Sequence, residues 1–127
     1  MKQKPNLRHH LIVDIINVDF DKLNDKNFLI EIIYKIVGLI DMKILFGPKV
    51  IKGVEENPGL SAFCIIDFSH ISIHTFTKSN EFYLDIFSCK PFNKNKVIQY
   101  IKKILNVKNN QIFIAKPKYN FQLKGRN

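Results

Sequence analysis

Across residues 9–16 the apolar positions alternate, with Leu11, Val13 and Ile15 on one side and Ile12, Asp14 and Ile16 on the other, which predicts a strand. The period then lengthens. Phe28, Leu29, Ile32, Ile33, Ile36 and Val37 recur at helical spacing and predict a helix over 25–39, with Asn24 placed to cap it. Residues 42–46 predict a short second strand closed by Gly47-Pro48. Residues 49–59, with Gly53, Asn57, Pro58 and Gly59, read as a loop whose first positions allow a short strand. From 61 to 76 the chain is strand-like almost without pause, with Ser69-His70 as its polar centre. A turn at 78–81 leads into a strand over 82–88. Asn93 caps a second helix to about residue 105, whose face carries Val97, Ile98, Ile101, Ile104 and Leu105. A last strand follows at 111–115, and the basic tail from Lys116 reads as loosely held.

Two similar halves, each with one helix among strands, predict an α+β fold: a two-layer α/β sandwich in which an antiparallel sheet carries both helices on one face. Residues 62–66 and 82–87 are apolar on both faces of their strands, more than one helical layer demands. The second face is therefore expected to pack against the sheet of a second subunit, giving a homodimer layered α/β/β/α.

A chain of 127 residues, 46% apolar and 24% charged, is expected to form one globular domain over 1–127. Its apolar runs, such as Leu11-Ile12-Val13, are too short to cross a bilayer, and no signal-type segment opens the chain. A cytoplasmic, soluble protein is expected. Cys64 and Cys89 are expected to be reduced there, and no metal-ligand spacing is present. The net charge of +9 raises the question of nucleic acid. With two arginines only, Arg8 and Arg126, and no recognised binding motif, the charge reads instead as a solubilising surface.

Candidate chemistry gathers in Asp67-Phe68-Ser69-His70-Ile71-Ser72-Ile73-His74-Thr75-Phe76, followed fifteen residues after His74 by Cys89. A two-residue loop at Ser79-Asn80 sets His74 opposite Asp85 and His70 opposite Cys89. That register brings the thiol within a residue of Ser69 and gathers thiol, imidazoles and carboxylate in one neighbourhood. Ser61, eight residues before Ser69, shares its face if the strand is unbroken. His74, five residues after Ser69, falls on the opposite face unless a bulge or strained break intervenes. A Ser-His-Asp hydrolase built from Ser69, His74 and Asp85 would lack the Gly-x-Ser-x-Gly elbow and any obvious oxyanion loop.

The Ser69–Thr75 run resembles the self-cleavage segment of the pyruvoyl-dependent S-adenosylmethionine decarboxylases of bacteria and archaea. The likeness extends through His10-Leu11-Ile12-Val13-Asp14, Leu23-Asn24-Asp25, Gly59-Leu60-Ser61 and Leu84-Asp85-Ile86-Phe87-Ser88-Cys89-Lys90-Pro91-Phe92. Ser61, Ser69, His74 and Cys89 fall at the spacing of that family's functional residues. The resemblance implies that Ser69 Oγ attacks the carbonyl of Phe68 in an N-to-O acyl shift, assisted by His74 and Ser61. It implies that His74 then removes the Ser69 α-proton, so that the ester is eliminated and the resulting dehydroalanine hydrolyses to a pyruvoyl group. The chain would divide into 1–68 and 69–127. The pyruvoyl group is the implied cofactor, which forms a Schiff base with the substrate amine and draws electrons as carbon dioxide leaves. Cys89 is implied as the acid that returns a proton to the substrate carbon. The implied product is decarboxylated S-adenosylmethionine, an aminopropyl donor for spermidine biosynthesis.

The chain departs from the family pattern at three places. Phe68 stands where a glutamate is usual, Ser61-Ala62 where Ser-Gly is usual, and Thr77-Lys78 where Pro-Glu is usual. The glutamate replaced by Lys78 is the residue expected to hold the substrate's ribose. These departures keep open the same chemistry on arginine or ornithine, or a non-catalytic relative that binds small amines or nucleic acid.

Overall fold

The structure is a computed structural model that describes residues 7–119. Its elements are β1 (His9–Ile15), α1 (Phe20–Leu23), α2 (Lys26–Leu39), β2 (Ile44–Val54), β3 (Asn57–Ile66), β4 (Ser69–Phe76), β5 (Glu81–Ser88), α3 (Lys94–Leu105) and β6 (Ile112–Ala115), with a 3-10 turn at Asn109–Gln111. The strands form one antiparallel sheet in the order β2-β3-β4-β5-β1-β6.

One face of this sheet makes the core. Leu11, Val13 and Ile15 of β1, Ala62, Cys64 and Ile66 of β3, Ile71 and Ile73 of β4, and Phe82, Leu84 and Ile86 of β5 are buried on it. Against them lie Leu29, Ile32, Ile33 and Ile36 of α2 and Val97, Ile101 and Leu105 of α3. Both long helices thus cover one face, as the periodicity predicts. No helix among the described residues is long and apolar enough to cross a membrane. Caps set the helix starts. Asp25, not Asn24, accepts from the Phe28 N–H at 3.1 Å, because Asn24 is taken up in ending the one-turn helix α1. Asn93 accepts from the Lys96 N–H at 3.1 Å, and Asn106 ends α3 in the left-handed conformation.

Three expectations about the strands need correction. Gly47-Pro48 does not close a strand: β2 runs through it to Val54, with register shifts against β3, and the expected loop is a hairpin. The reason is position, since β2 is the outermost strand, where a proline's missing N–H removes no ladder bond. The run 61–76 is not one strand. It folds back at Asp67-Phe68, where Asp67 exchanges bonds with Lys43: its N–H reaches the Lys43 carbonyl at 2.9 Å, and its Oδ1 accepts the Lys43 N–H at 3.0 Å. The β4–β5 loop holds four residues, 77–80, so Phe76 pairs with Glu81 and the register sits two residues from the one expected. A slip of two preserves which side chains share a face, whereas a slip of one inverts them. The tail also differs from expectation as far as Tyr119, whose hydroxyl meets His10 Nδ1 at 2.8 Å.

Thr75 joins the layers at the far end of β4. Its buried hydroxyl donates to the Leu23 carbonyl at 2.9 Å and accepts the Leu60 N–H at 2.9 Å. Gly59 lies against this strand at φ +147°, and a Cβ built on it runs into the Thr75 carbonyl oxygen. Gly59→Ala is therefore expected to destabilise the fold by on the order of 3 kcal/mol. Calorimetry should show Tm lower by roughly 10 °C. An unchanged Tm would mean that the approach of the two strands is not tight.

Candidate active site

β4 starts immediately after the Asp67-Phe68 turn, and its first residue, Ser69, has φ +154°. A side chain other than glycine rarely adopts that backbone state, which costs on the order of 1–3 kcal/mol. Strain is thus held at the Phe68–Ser69 junction. Ser69 pairs with Ile66 of β3 and Ser88 of β5, and Cys89 comes directly after. Ser69 Oγ and Cys89 Sγ are 3.9 Å apart. The Cys89 N–H donates to the Phe68 carbonyl at 3.0 Å, so a backbone donor already polarises the carbonyl next to Ser69.

A bend at the end of β5 holds Cys89 in place. The buried Ser88 hydroxyl donates to the Lys90 carbonyl at 2.8 Å and accepts the Lys90 N–H at 2.9 Å, closing the chain tightly around residue 89. The Lys90 ammonium lies 5.3 Å from the Phe68 ring centroid and donates to the Asp41 carbonyl at 2.9 Å. Phe68, 40% exposed, forms with Ile65, Ile66, Asp67, Ser69 and Cys89 the wall of an open cavity of about 430 Å³. The second cysteine has no part in this. Cys64 is buried on the helical face, and burial pushes its thiol up to about 11.

The other residues singled out in the sequence lie elsewhere. Ser61 pairs directly with His74, and Ser61 Oγ meets His74 Nδ1 at 2.8 Å. Both stand on the open face of the sheet, and the turn at 67–68 breaks the strand that would have aligned Ser61 with Ser69. His74 lies opposite Tyr83, not Asp85, with ring centroids 6.2 Å apart. Five residues of strand, roughly 16 Å, separate His74 from Ser69. His70 forms a third group, and it pairs with Phe87, not Cys89. Asp85 Oδ1 lies 3.8 Å from His70 Nε2 and 2.8 Å from His10 Nε2. The Phe87 ring lies against both imidazoles.

The single neighbourhood expected from the hairpin is therefore three: Ser69 with Cys89, Ser61 with His74, and His10 with Asp85 and His70. His10 was not among the candidate site residues. Only the β1–β5 pairing, which sets it opposite Phe87, brings it to Asp85. The Cys89 amide was also missed, since a backbone group leaves no mark in a sequence. Lys78, in the loop after β4, donates to the Glu56 carbonyl at 3.2 Å, at the opposite end of β4 from Ser69.

Comparisons with known proteins agree with one another. The family model described as S-adenosylmethionine decarboxylase matches residues 9–116. An S-adenosylmethionine decarboxylase proenzyme of Clostridium botulinum strain Langeland is 32% identical over 111 residues, covering 82% of this chain and 88% of the relative. A proenzyme of the same name from the Hall strain matches to the same extent. Among solved structures, the adenosylmethionine decarboxylase of Aquifex aeolicus VF5 superposes with a TM-score of 0.71 at 22% identity, covering 91% of this chain and 92% of that one; it shares the fold.

Proposed function

The chain belongs to the S-adenosylmethionine decarboxylase family, and from that premise we propose that it is a proenzyme that cleaves itself at Phe68–Ser69 and works as a homodimer. Its reaction is the decarboxylation of S-adenosylmethionine, and the product serves as an aminopropyl donor in spermidine biosynthesis. A cytoplasmic location goes with this reading. The observation that carries it is the state of the Phe68–Ser69 junction: strained at Ser69, polarised at the Phe68 carbonyl, and 3.9 Å from a thiol.

Self-cleavage follows from these groups. Ser69 Oγ adds to the Phe68 carbonyl carbon, and the Cys89 N–H holds the negative charge that develops on the carbonyl oxygen. Breaking the C–N bond leaves an ester on Ser69 Oγ, and the freed amine takes up the proton that the hydroxyl gave. Removal of the Ser69 α-proton then expels the Phe68 carboxylate. Water replaces the nitrogen, which departs as ammonia. The pyruvoyl group left at residue 69 supplies an electrophilic carbonyl that accepts the electrons released when carbon dioxide leaves the substrate. The open cavity beside Ser69 has room for a substrate at that point. There the Cys89 thiol is placed to deliver a proton to the substrate carbon.

The base is the reason for proposing a second copy. With Nδ1–H donating to Ser61 Oγ, His74 presents the Nε2 lone pair on the open face of the sheet. It can accept the Ser69 Oγ proton and later the α-proton, but not across about 16 Å of its own strand. Two sheets packed face to face about a two-fold axis would bring His74 and Ser61 of the partner subunit to Ser69 and Cys89. The open face suits such packing: Phe63, Ile65, Tyr83 and Phe87 interrupt its polar residues, and Ile65 is 42% exposed in the single chain.

Co-expressed variants test both parts, with carbon dioxide release from S-adenosylmethionine as the readout. Homodimers of His74→Ala are expected to stay uncleaved, and homodimers of Cys89→Ala to cleave but turn over slowly. In the mixed dimer one site has all four groups intact, so activity should return to about half that of the wild type, with one of the two sites working. Cleavage should move to the His74→Ala chain, whose Ser69 then faces an intact His74. An inactive mixed dimer would place the whole site within one chain.

A further inference from the structure

All eleven Asp and Glu residues of the chain lie between Asp14 and Asp85. Residues 86–127 contain nine lysines and Arg126 without one carboxylate, and residues 1–13 add Lys2, Lys4 and Arg8, again with none. Such segregation points to an anionic partner for one part of the molecule.

The fold concentrates this charge. The start of β1, the first turn of α3 and the segment after β6 meet around a cavity of about 270 Å³ lined by Arg8, His9, His10, Lys94, Lys116 and Lys118. It shares no lining residue with the cavity beside Ser69. His9 lies opposite Ser88, which lies opposite Ser69, so two strand spacings, about 10 Å of backbone, separate the two places.

Two observations mark the cavity as prepared for a ligand. His9 Nε2 is buried and has no hydrogen-bond partner among the described residues, and a buried polar atom without a partner calls for an explanation. The cations are also crowded. Burial and then the charge of Lys116 lower the Lys94 ammonium from its ordinary value, and burial and then Lys94 lower His9.

We propose that this cavity binds a small phosphate-bearing anion. Lys94, Lys116 and Lys118 act as point charges on its oxygens, and neutral His9 donates from Nε2–H. A doubly or triply charged oxyanion relieves the repulsion between Lys94 and Lys116 and satisfies the His9 nitrogen together. Size favours a compact ligand over a polymer, since the cavity lies near the lower end of the ~300–1,000 Å³ typical of small-molecule sites.

Pyrophosphate, titrated by calorimetry into the processed full-length protein at low ionic strength, is the probe. Saturable binding of one ion per chain is expected. The double variant Lys94→Gln with Lys116→Gln should weaken it by about tenfold or more, and Lys35→Gln with Lys103→Gln by less than about twofold. The second pair lines a different cavity, beside Tyr100, and controls for general loss of charge. Self-cleavage and melting temperature of each variant report that it is folded. Unsaturable binding, or equal weakening by both pairs, would reduce the site to diffuse surface charge and overturn the proposal. So would a single-stranded oligonucleotide that depends on Lys94 and Lys116 yet is not displaced by pyrophosphate, because the ligand would then be a nucleic acid.

Discussion

Ser69→Ala is expected to remain a single 14.9 kDa chain under denaturing conditions, while the wild type separates into residues 1–68 and 69–127. The effect is all-or-none because the acyl shift needs an oxygen at Cβ. Without it, the Phe68 carbonyl keeps its amide bond however well the Cys89 N–H polarises it. The C-terminal fragment of the wild type should resist Edman sequencing, since its first residue no longer carries an amine. Alanine introduces no new contact at the junction, and light scattering should report the same oligomer for variant and wild type. A wild type that stays whole after long incubation would overturn self-processing. Phe68 does not stand in the way, since the reaction uses the carbonyl of that residue and its ring lies against Lys90.

Cys89→Ala separates the two reactions. Cleavage draws on the backbone N–H of residue 89, which alanine retains, so this variant should divide into two chains like the wild type. Turnover draws on the thiol. Losing a positioned general acid slows proton transfer by about 10²–10⁴-fold, and carbon dioxide release from S-adenosylmethionine should fall by that factor. Arginine and ornithine offered in parallel to the wild type check the substrate, because Lys78 brings a positive charge where the family pattern carries a glutamate. If Cys89→Ala decarboxylates at the wild-type rate, the thiol is not the acid. If it fails to cleave, the bend closed by Ser88 and Lys90 depends on the side chain as well as the backbone.

Much of this architecture was legible in the sequence because it is written in local periods. The helical spacing of Leu29, Ile32, Ile33 and Ile36, and the alternation through Ile71, Ile73 and Thr75, each follow from burying one side of one element. The two-residue error in the β4–β5 register kept parity, so side chains expected to share a face of that hairpin still do. The proximity of Cys89 to Ser69 also survived that error. The break at Asp67-Phe68 was not legible: no glycine, proline or asparagine marks it, and the bonds that hold it come from Lys43, twenty-four residues away. Gly47-Pro48 misled in the opposite direction, because whether a proline interrupts a sheet depends on which strand is the edge.

The sequence by itself determined the family likeness, the α+β layering and the identity of the chemical groups, since these rest on residue type and on spacing within single elements. Only the tertiary structure decided how those groups are shared out. Pairing of β3 with β4 joins Ser61 to His74; pairing of β4 with β5 brings Cys89 and its amide to Phe68 and Ser69; pairing of β1 with β5 carries His10 to Asp85. Strand pairing is a relation between distant segments, set by which apolar faces can be buried together, and no local pattern records it.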